Sequence, residues 1–139
     1  MADALGTSGN GENGLTAVEA GAFRRLLEHL RLRDDVANVE LMGRAGFCRN
    51  CLADWMVEES IALGTPLTRE EARLLVYGEP YADWKARQGE ASAEDLQRMN
   101  DSIAETARRR EAKERSSARL DAQIDASFPA SDPPSATRR

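Results

Sequence analysis

The chain has 139 residues, with 19 basic and 24 acidic side chains, which give a net charge of −5. No stretch approaches the roughly 18 apolar residues that a membrane span needs, so we expect no membrane-spanning segment. Two cysteines are too few for a disulfide scaffold. Residues 1–15 lack the charged start and apolar run of a secretion signal, and we therefore expect a cytoplasmic protein.

Core-forming residues are concentrated between residues 16 and 89. This segment holds both cysteines, the one histidine, both tryptophans and both tyrosines. The Gly-, Asn- and Ser-rich start cannot bury enough apolar surface to offset its ordering entropy. We therefore predict four segments: a disordered arm (1–15), a compact helical domain (16–89), a C-terminal helical extension (90–126) and a Pro/Ser-rich tail (127–139).

The first two helices are predicted from capping residues and apolar spacing. Thr16 and Glu19 form the pattern of a capping box, in which each side chain satisfies a backbone N–H at a helix start. An amphipathic stripe with helical spacing follows: Phe23, Leu26, Leu27 and Leu30. A second, short helix is predicted to begin at Asp34 or Asp35 and to close at Gly43.

Three further helices complete the predicted domain. The third helix is expected to begin near residue 47 and to stop before residue 64. A second capping box, Thr68 with Glu71, opens a fourth helix that Gly78 ends. Pro80 is placed at the first position of a last short helix, which Gly89 closes.

A longer helix is predicted beyond this domain. Ser92 with Asp95 is a third capping candidate, and a narrow apolar stripe follows it: Leu96, Met99 and Ile103. Pro129 disfavours helical backbone at Phe128 and should end the helix there. The predicted fold class is therefore all-α, a compact bundle of about five short helices with a longer C-terminal helix and disordered tails.

An ordered set of motifs surrounds the predicted third helix. The central one is Ala45-Gly46-Phe47-Cys48-Arg49-Asn50-Cys51-Leu52, followed by Trp55. The flanking pieces are Phe23-Arg24-Arg25-Leu26 with His29-Leu30-Arg31, then Asp35-Val36 with Asn38 and Leu41-Met42, and finally Tyr77-Gly78 with Pro80-Tyr81 and Trp84-Lys85. Over roughly residues 20–88, this set resembles a short bacterial family known as domain of unknown function 1244. The resemblance implies a small helical fold that self-associates, and it implies no assigned activity.

The end of the chain carries a second resemblance. The segment Ser127-Phe128-Pro129-Ala130-Ser131-Asp132-Pro133-Pro134 is similar to a short motif that closes various small bacterial proteins. Phe128 is an aromatic anchor, and Pro129 begins a proline-stiffened strip that suits docking into a groove at low entropic cost. We therefore expect this tail to dock on a protein partner.

Cys48 and Cys51 form the strongest candidate for a chemical site. Three residues apart at the start of a helix, they place both sulfurs on one face. The helix start, together with Arg44 and Arg49, is expected to favour the thiolate form. In a zinc or iron site the pair would supply two ligands and His29 a third, with a carboxylate, water or a second subunit as the fourth.

Two other interpretations of the cysteine pair stay open. A CxxC at a helix start is similar to the thioredoxin arrangement and would act as a thiol switch, although the βαβ context is missing. Alternatively, both cysteines pack as small apolar core residues in line with Leu52. The residues expected to support the site are Arg49, Asn50, Asn38 and Trp55, the asparagines as amides that bond helix-end groups and Trp55 within an aromatic core.

These observations support two classes of function. The first is a small cytoplasmic homodimer with a metal- or thiol-dependent site, and whether it is an enzyme stays open. The second is a non-catalytic homodimeric interaction or adaptor module in which the cysteines are structural. Nucleic-acid binding is not expected, because the basic run 108–110 is offset by neighbouring acidic residues: Glu105, Glu111 and Glu114.

Overall fold

Every regular element of the described residues, 11–127, is an α-helix in the computed structural model. The helices are α1 (Gly11–Leu32), α2 (Asn38–Ala45), α3 (Arg49–Ala62), α4 (Arg69–Tyr77), α5 (Tyr81–Ala86) and α6 (Ala93–Ser127). The predicted all-α fold with a longer C-terminal helix is therefore confirmed. Within residues 11–127, no helix combines the length and apolarity needed to cross a membrane. The predicted docking residues, Phe128 and Pro129, lie outside the described residues.

Side-chain caps and glycines set several helix ends as the sequence predicts. Thr68 Oγ1 accepts a hydrogen bond from the Glu71 N–H at 3.0 Å, and Glu71 Oε1 accepts one from the Thr68 N–H at 2.8 Å. Gly78 ends the same helix with a left-handed φ of 74°. At the start of α6, Ser92 Oγ accepts a hydrogen bond from the Asp95 N–H at 3.0 Å. Two of the predicted capping pairs therefore make the bonds expected of them.

The start of α1 differs from the prediction. The helix begins at Gly11, so Thr16 and Glu19 lie inside it rather than at its cap. Residues 11–15 contain no proline, and their backbone N–H groups can therefore continue the helical hydrogen bonds past the expected start. The capping pattern alone does not exclude that continuation.

The start of α2 is set by a glutamate within the helix. The Glu40 carboxylate accepts a hydrogen bond from the Ala37 N–H at 2.9 Å and so caps the helix from its own first turn. The prediction that Asp34 or Asp35 begins this helix is wrong. Asp35 instead pairs with the Arg33 guanidinium at 2.9 Å in the preceding turn.

A small apolar core lies where α1, α3, α4 and α5 meet. Its buried side chains are Leu27, Leu30, Leu52, Ala53, Ala72, Val76, Tyr77 and Trp84. Trp55, expected within the aromatic core, is instead 49% exposed and stacks on Phe47 with 6.3 Å between ring centroids. The buried residues of α3 are Arg49, Leu52, Ala53 and Ser60, and Trp55, which lies two residues after Ala53 and so nearly opposite it around the helix, is left half-exposed.

The first half of α6 packs along α2 at two glycines. Gly46, rather than the predicted Gly43, is the C-cap of α2, with a left-handed φ of 80°. A Cβ added to Gly46 would lie 2.8 Å from Thr106 Oγ1, and one added to Gly43 would lie 3.3 Å from Arg98 Cγ. The two glycines therefore permit the close approach of α6. The division of the chain at residue 89 stays a prediction.

Gly46→Ala should destabilise the protein more than the matched change Gly64→Ala. Both glycines have positive φ, 80° and 81°, and alanine in that backbone region costs about 1–2 kcal/mol at either site. Only at Gly46 does the new methyl group meet another helix, because nothing lies within 4 Å of a Cβ at Gly64. Urea unfolding followed by circular dichroism measures both free energies.

Thr106→Ala in the Gly46→Ala background provides the second arm of this test. Removing Thr106 Oγ1 relieves the close contact and should recover the loss that exceeds the Gly64→Ala value. Equal losses at the two glycines would contradict a contribution from the α2–α6 contact.

Candidate thiol site and adjoining cleft

A buried arginine lies between the two cysteines and fixes the start of α3. The Arg49 side chain is largely enclosed, with only 2% of the residue exposed. Its NH1 donates to Val36 O at 2.8 Å and to Asn38 Oδ1 at 3.0 Å. Its NH2 donates to Arg33 O at 2.8 Å and to Leu30 O at 3.3 Å. Arg49 therefore ties the end of α1, the connecting turn and the start of α2 to the start of α3.

Neutral oxygens and an aromatic ring compensate this buried charge. The bonds from the guanidinium, within the described residues, go to carbonyl and amide oxygens, and its Cζ lies 5.2 Å from the Trp84 ring centroid. The carbonyls of Leu30 and Arg33 lie at the C-terminal end of α1, where the helix dipole favours a cation. Burial lowers the pKa of Arg49, but a guanidinium stays protonated in proteins.

The hydroxyl of Tyr77 joins the two asparagines that the sequence assigns to the site. Asn38 Nδ2 donates to Tyr77 Oη at 3.0 Å, and the Tyr77 hydroxyl donates to Asn50 Oδ1 at 2.8 Å. Asn38 Oδ1 also accepts from the Arg49 backbone N–H at 3.3 Å. From the sequence, Tyr77 is expected only as one of the core-forming aromatic residues, and its place in the Tyr77-Gly78 motif is the one signal of a role at the site.

Cys48 and Cys51 lie side by side at the start of α3. Their Sγ atoms are 3.9 Å apart, and neither forms a disulfide. Cys48 is the N-cap, with an extended backbone (φ −144°, ψ −177°), and Cys51 is the third residue of the helix. These are the N-cap and N3 positions, whose side chains lie next to each other across the first helical turn, so the local geometry brings the sulfurs together.

Burial controls the chemistry of Cys48. It raises the pKa of the Cys48 thiol, and the nearby backbone N–H groups of Asn50 and Cys51, which act in the opposite direction, are the weaker influence. The expectation that this thiol favours the thiolate is therefore wrong. Arg49 directs its N–H groups to carbonyl and amide oxygens, and the exposed Arg44 lies in the last turn of α2.

His29, the expected third ligand, is an exposed residue of α1. In the part of the chain that the structure describes, no group of three or more His, Cys, Asp or Glu side chains could hold a metal ion. The structure thus brings Cys48 and Cys51 together but does not add His29 to them.

A cleft of about 600 Å³ adjoins Cys48. Its walls come from α2, the start of α3, α5, the segment 88–91 and the start of α6. The larger apolar residues that line it are Val39, Met42, Tyr81, Trp84, Leu96 and Met99, and the polar ones are Asn38, Cys48, Asn50, Lys85, Gln88 and Glu90. Its volume is in the range of about 300–1,000 Å³ that is usual for small-molecule sites.

Tyr77 should make the free energy of unfolding depend on pH above pH 10. Burial raises the pKa of Tyr77 from 10.0 to about 12, so the unfolded chain loses this proton first. The stabilisation is therefore complete below pH 10 and is lost as the pH rises through 12. Tyr77→Phe should lower the free energy of unfolding at pH 7, because two hydrogen bonds are lost. It should also reduce the loss of stability between pH 10 and pH 12.

Urea midpoints between pH 8 and pH 12 measure the effect. The raised pKa of Cys48 acts with the same sign but begins near its ordinary value of 9.0. Cys48→Ser is therefore the control, since it should remove the loss of stability that begins near pH 9 and leave the contribution of Tyr77 in place. Identical slopes between pH 10 and pH 12 for the wild type and Tyr77→Phe would contradict the assignment to Tyr77.

Comparison with known proteins gives one family match. The family described as protein of unknown function (DUF1244) matches residues 36–101. The match begins after α1 and runs into α6, so it lies further along the chain than the resemblance noted over residues 20–88. No curated protein matches the chain. Residues 36–101, which include the motif around the two cysteines, are thus similar to the DUF1244 family, and the description of that family names no activity.

Proposed function

We propose that Cys48 and Cys51 form a two-thiolate half-site for a thiophilic transition metal, with zinc as the first candidate and iron as the second. The observation that carries this proposal is the 3.9 Å separation of the two Sγ atoms. Two sulfurs bound to one zinc ion at about 2.3 Å in tetrahedral geometry lie about 3.8 Å apart. The pair therefore has the spacing of two zinc ligands without any movement of the chain.

A second copy of the chain supplies the remaining ligands in this proposal. Trp55 lies one helical turn after Cys51 on α3, is 49% exposed and stacks on Phe47. An exposed tryptophan that rests on the half-buried Phe47 ring, one turn from Cys51, suits contact between two copies. A two-fold axis near Cys51 would bring four thiols to one metal ion and form a homodimer. Reduced thiols also suit a cytoplasmic location.

The geometry supports a thiol switch less well. A disulfide bond is about 2.05 Å long, so the two sulfurs would have to approach by roughly 1.9 Å. The raised pKa of Cys48 lowers the amount of thiolate, the form that both thiol exchange and metal binding require. A bound metal ion needs no such approach, and it displaces the thiol protons on binding.

One observation favours a second candidate function, an interaction module. The last turns of α6 expose Leu120 by 56% and Ile124 by 44%, one helical turn apart. These side chains, together with the tail that begins at residue 127, are proposed as the contact to a protein partner. Such a role would leave Cys48 and Cys51 as structural residues.

Metal content and molecular mass test the shared site together. Protein purified without chelator should be a dimer with about 0.5 zinc per chain, since one ion serves two chains. Cys48→Ser/Cys51→Ser should be monomeric and hold less than about 0.1 zinc per chain, because a genuine site titrates stoichiometrically. Elemental analysis and light scattering after gel filtration provide the two readings.

Trp55→Lys separates the shared site from a site within one chain. It should abolish both the dimer and the bound zinc, because it changes the proposed contact and leaves both cysteines in place. Zinc at one ion per chain in monomeric Trp55→Lys would refute the shared site. The same zinc content in the wild type and the double serine variant would refute the cysteine site altogether.

A further inference from the structure

The apolar walls of the cleft suit a planar ligand. The rings of Tyr81 and Trp84 stack with their centroids 6.3 Å apart and 20° between their planes. Met42 lines the cleft from α2, and Met99 lines it from α6. The half-buried Tyr81 ring, the open edge of Trp84 and the adaptable thioethers together offer contact to an aromatic body.

Two hydrogen-bond donors of the cleft are available to an anion. Lys85 is the one cation of the lining, and no ion pair joins it to a carboxylate of the described residues, Glu90 of the lining included. Asn50 is held by the bond from Tyr77 to its Oδ1. Its Nδ2 makes no hydrogen bond to another of the described residues. Because it is not one of the buried atoms without a partner, this nitrogen is accessible to solvent or to a ligand. The Tyr77 network thus fixes an amide donor beside the cleft.

The segment that matches the DUF1244 family has nearly the same limits as the cleft. The lining runs from Ala37 to Met99, and the family match runs from residue 36 to residue 101. By contrast, α1 supplies Leu27 and Leu30 to the core and lies outside the match. The region that matches the family therefore contains the whole cleft but only part of the core.

We infer that this cleft binds a small aromatic carboxylate. The ring of the ligand packs among Tyr81, Trp84 and the two methionines, and its carboxylate accepts hydrogen bonds from Lys85 and Asn50. This inference does not depend on a metal ion at the cysteine pair.

Trp55→Phe gives a protein in which Trp84, in the cleft wall, is the one remaining tryptophan. We expect 2-naphthoate to quench its fluorescence saturably. The uncharged analogue 2-naphthamide should bind about tenfold more weakly, because it has no negative charge to pair with the Lys85 ammonium.

Variants in the Trp55→Phe background locate the carboxylate. Lys85→Gln and Asn50→Ala should each weaken 2-naphthoate binding about tenfold. Lys113→Gln, which removes an exposed lysine from the outer part of α6, should leave it unchanged. Lys85 is also exposed, so its replacement should preserve the fold, and thermal unfolding verifies this.

Three results would overturn the inference. They are quenching that does not saturate, equal affinity for 2-naphthoate and 2-naphthamide, and equal affinity in Lys85→Gln and Lys113→Gln. The first would mean that the cleft binds no aromatic ligand of this kind. The second would mean that the cleft does not recognise a carboxylate, and the third would mean that Lys85 does not bind it.

Discussion

The buried guanidinium of Arg49 is the interaction on which the arrangement of this domain depends. An isolated charge in a protein interior is strongly unfavourable unless polar groups surround it. Here the end of α1, the turn after it and the start of α2 provide the oxygens, and Trp84 of α5 provides the ring. Four helices must therefore be in place before the charge is fully compensated. The packing of the small core therefore depends on the burial of one cation, the Arg49 guanidinium.

The same residue connects the fold to the candidate chemistry. Because Arg49 is the first residue of α3, fixing it also fixes the N-cap before it and the third helical position after it, which Cys48 and Cys51 occupy. Its contact with Asn38 leads through Tyr77 to Asn50, at the edge of the cleft. The thiol pair and the cleft donors therefore share one scaffold, although a metal ion and an organic anion would use them separately.

Local signals predict much of the fold but only part of the site. The Thr68 cap, the start of α3 and the proximity of the two sulfurs all depend on residues close together in the chain. Their spacing in the sequence is therefore enough to predict them. The sequence does not reveal the role of Arg49, because its hydrogen-bond acceptors lie up to 19 residues away and are mainly backbone carbonyls, which every residue carries. The exposure of Trp55 and the cleft depend on how separate helices pack, and no periodicity within one helix specifies that.

The free energy of unfolding of Arg49→Met tests this account most directly. Methionine fills part of the space but leaves buried carbonyl and amide acceptors without a donor, so we expect a loss of about 3–5 kcal/mol. Arg24→Met, at an exposed position of α1, is the control and should change stability by less than about 0.5 kcal/mol. Urea unfolding at pH 7 measures both variants. A loss for Arg49→Met no larger than that for Arg24→Met would contradict the central role of the buried guanidinium.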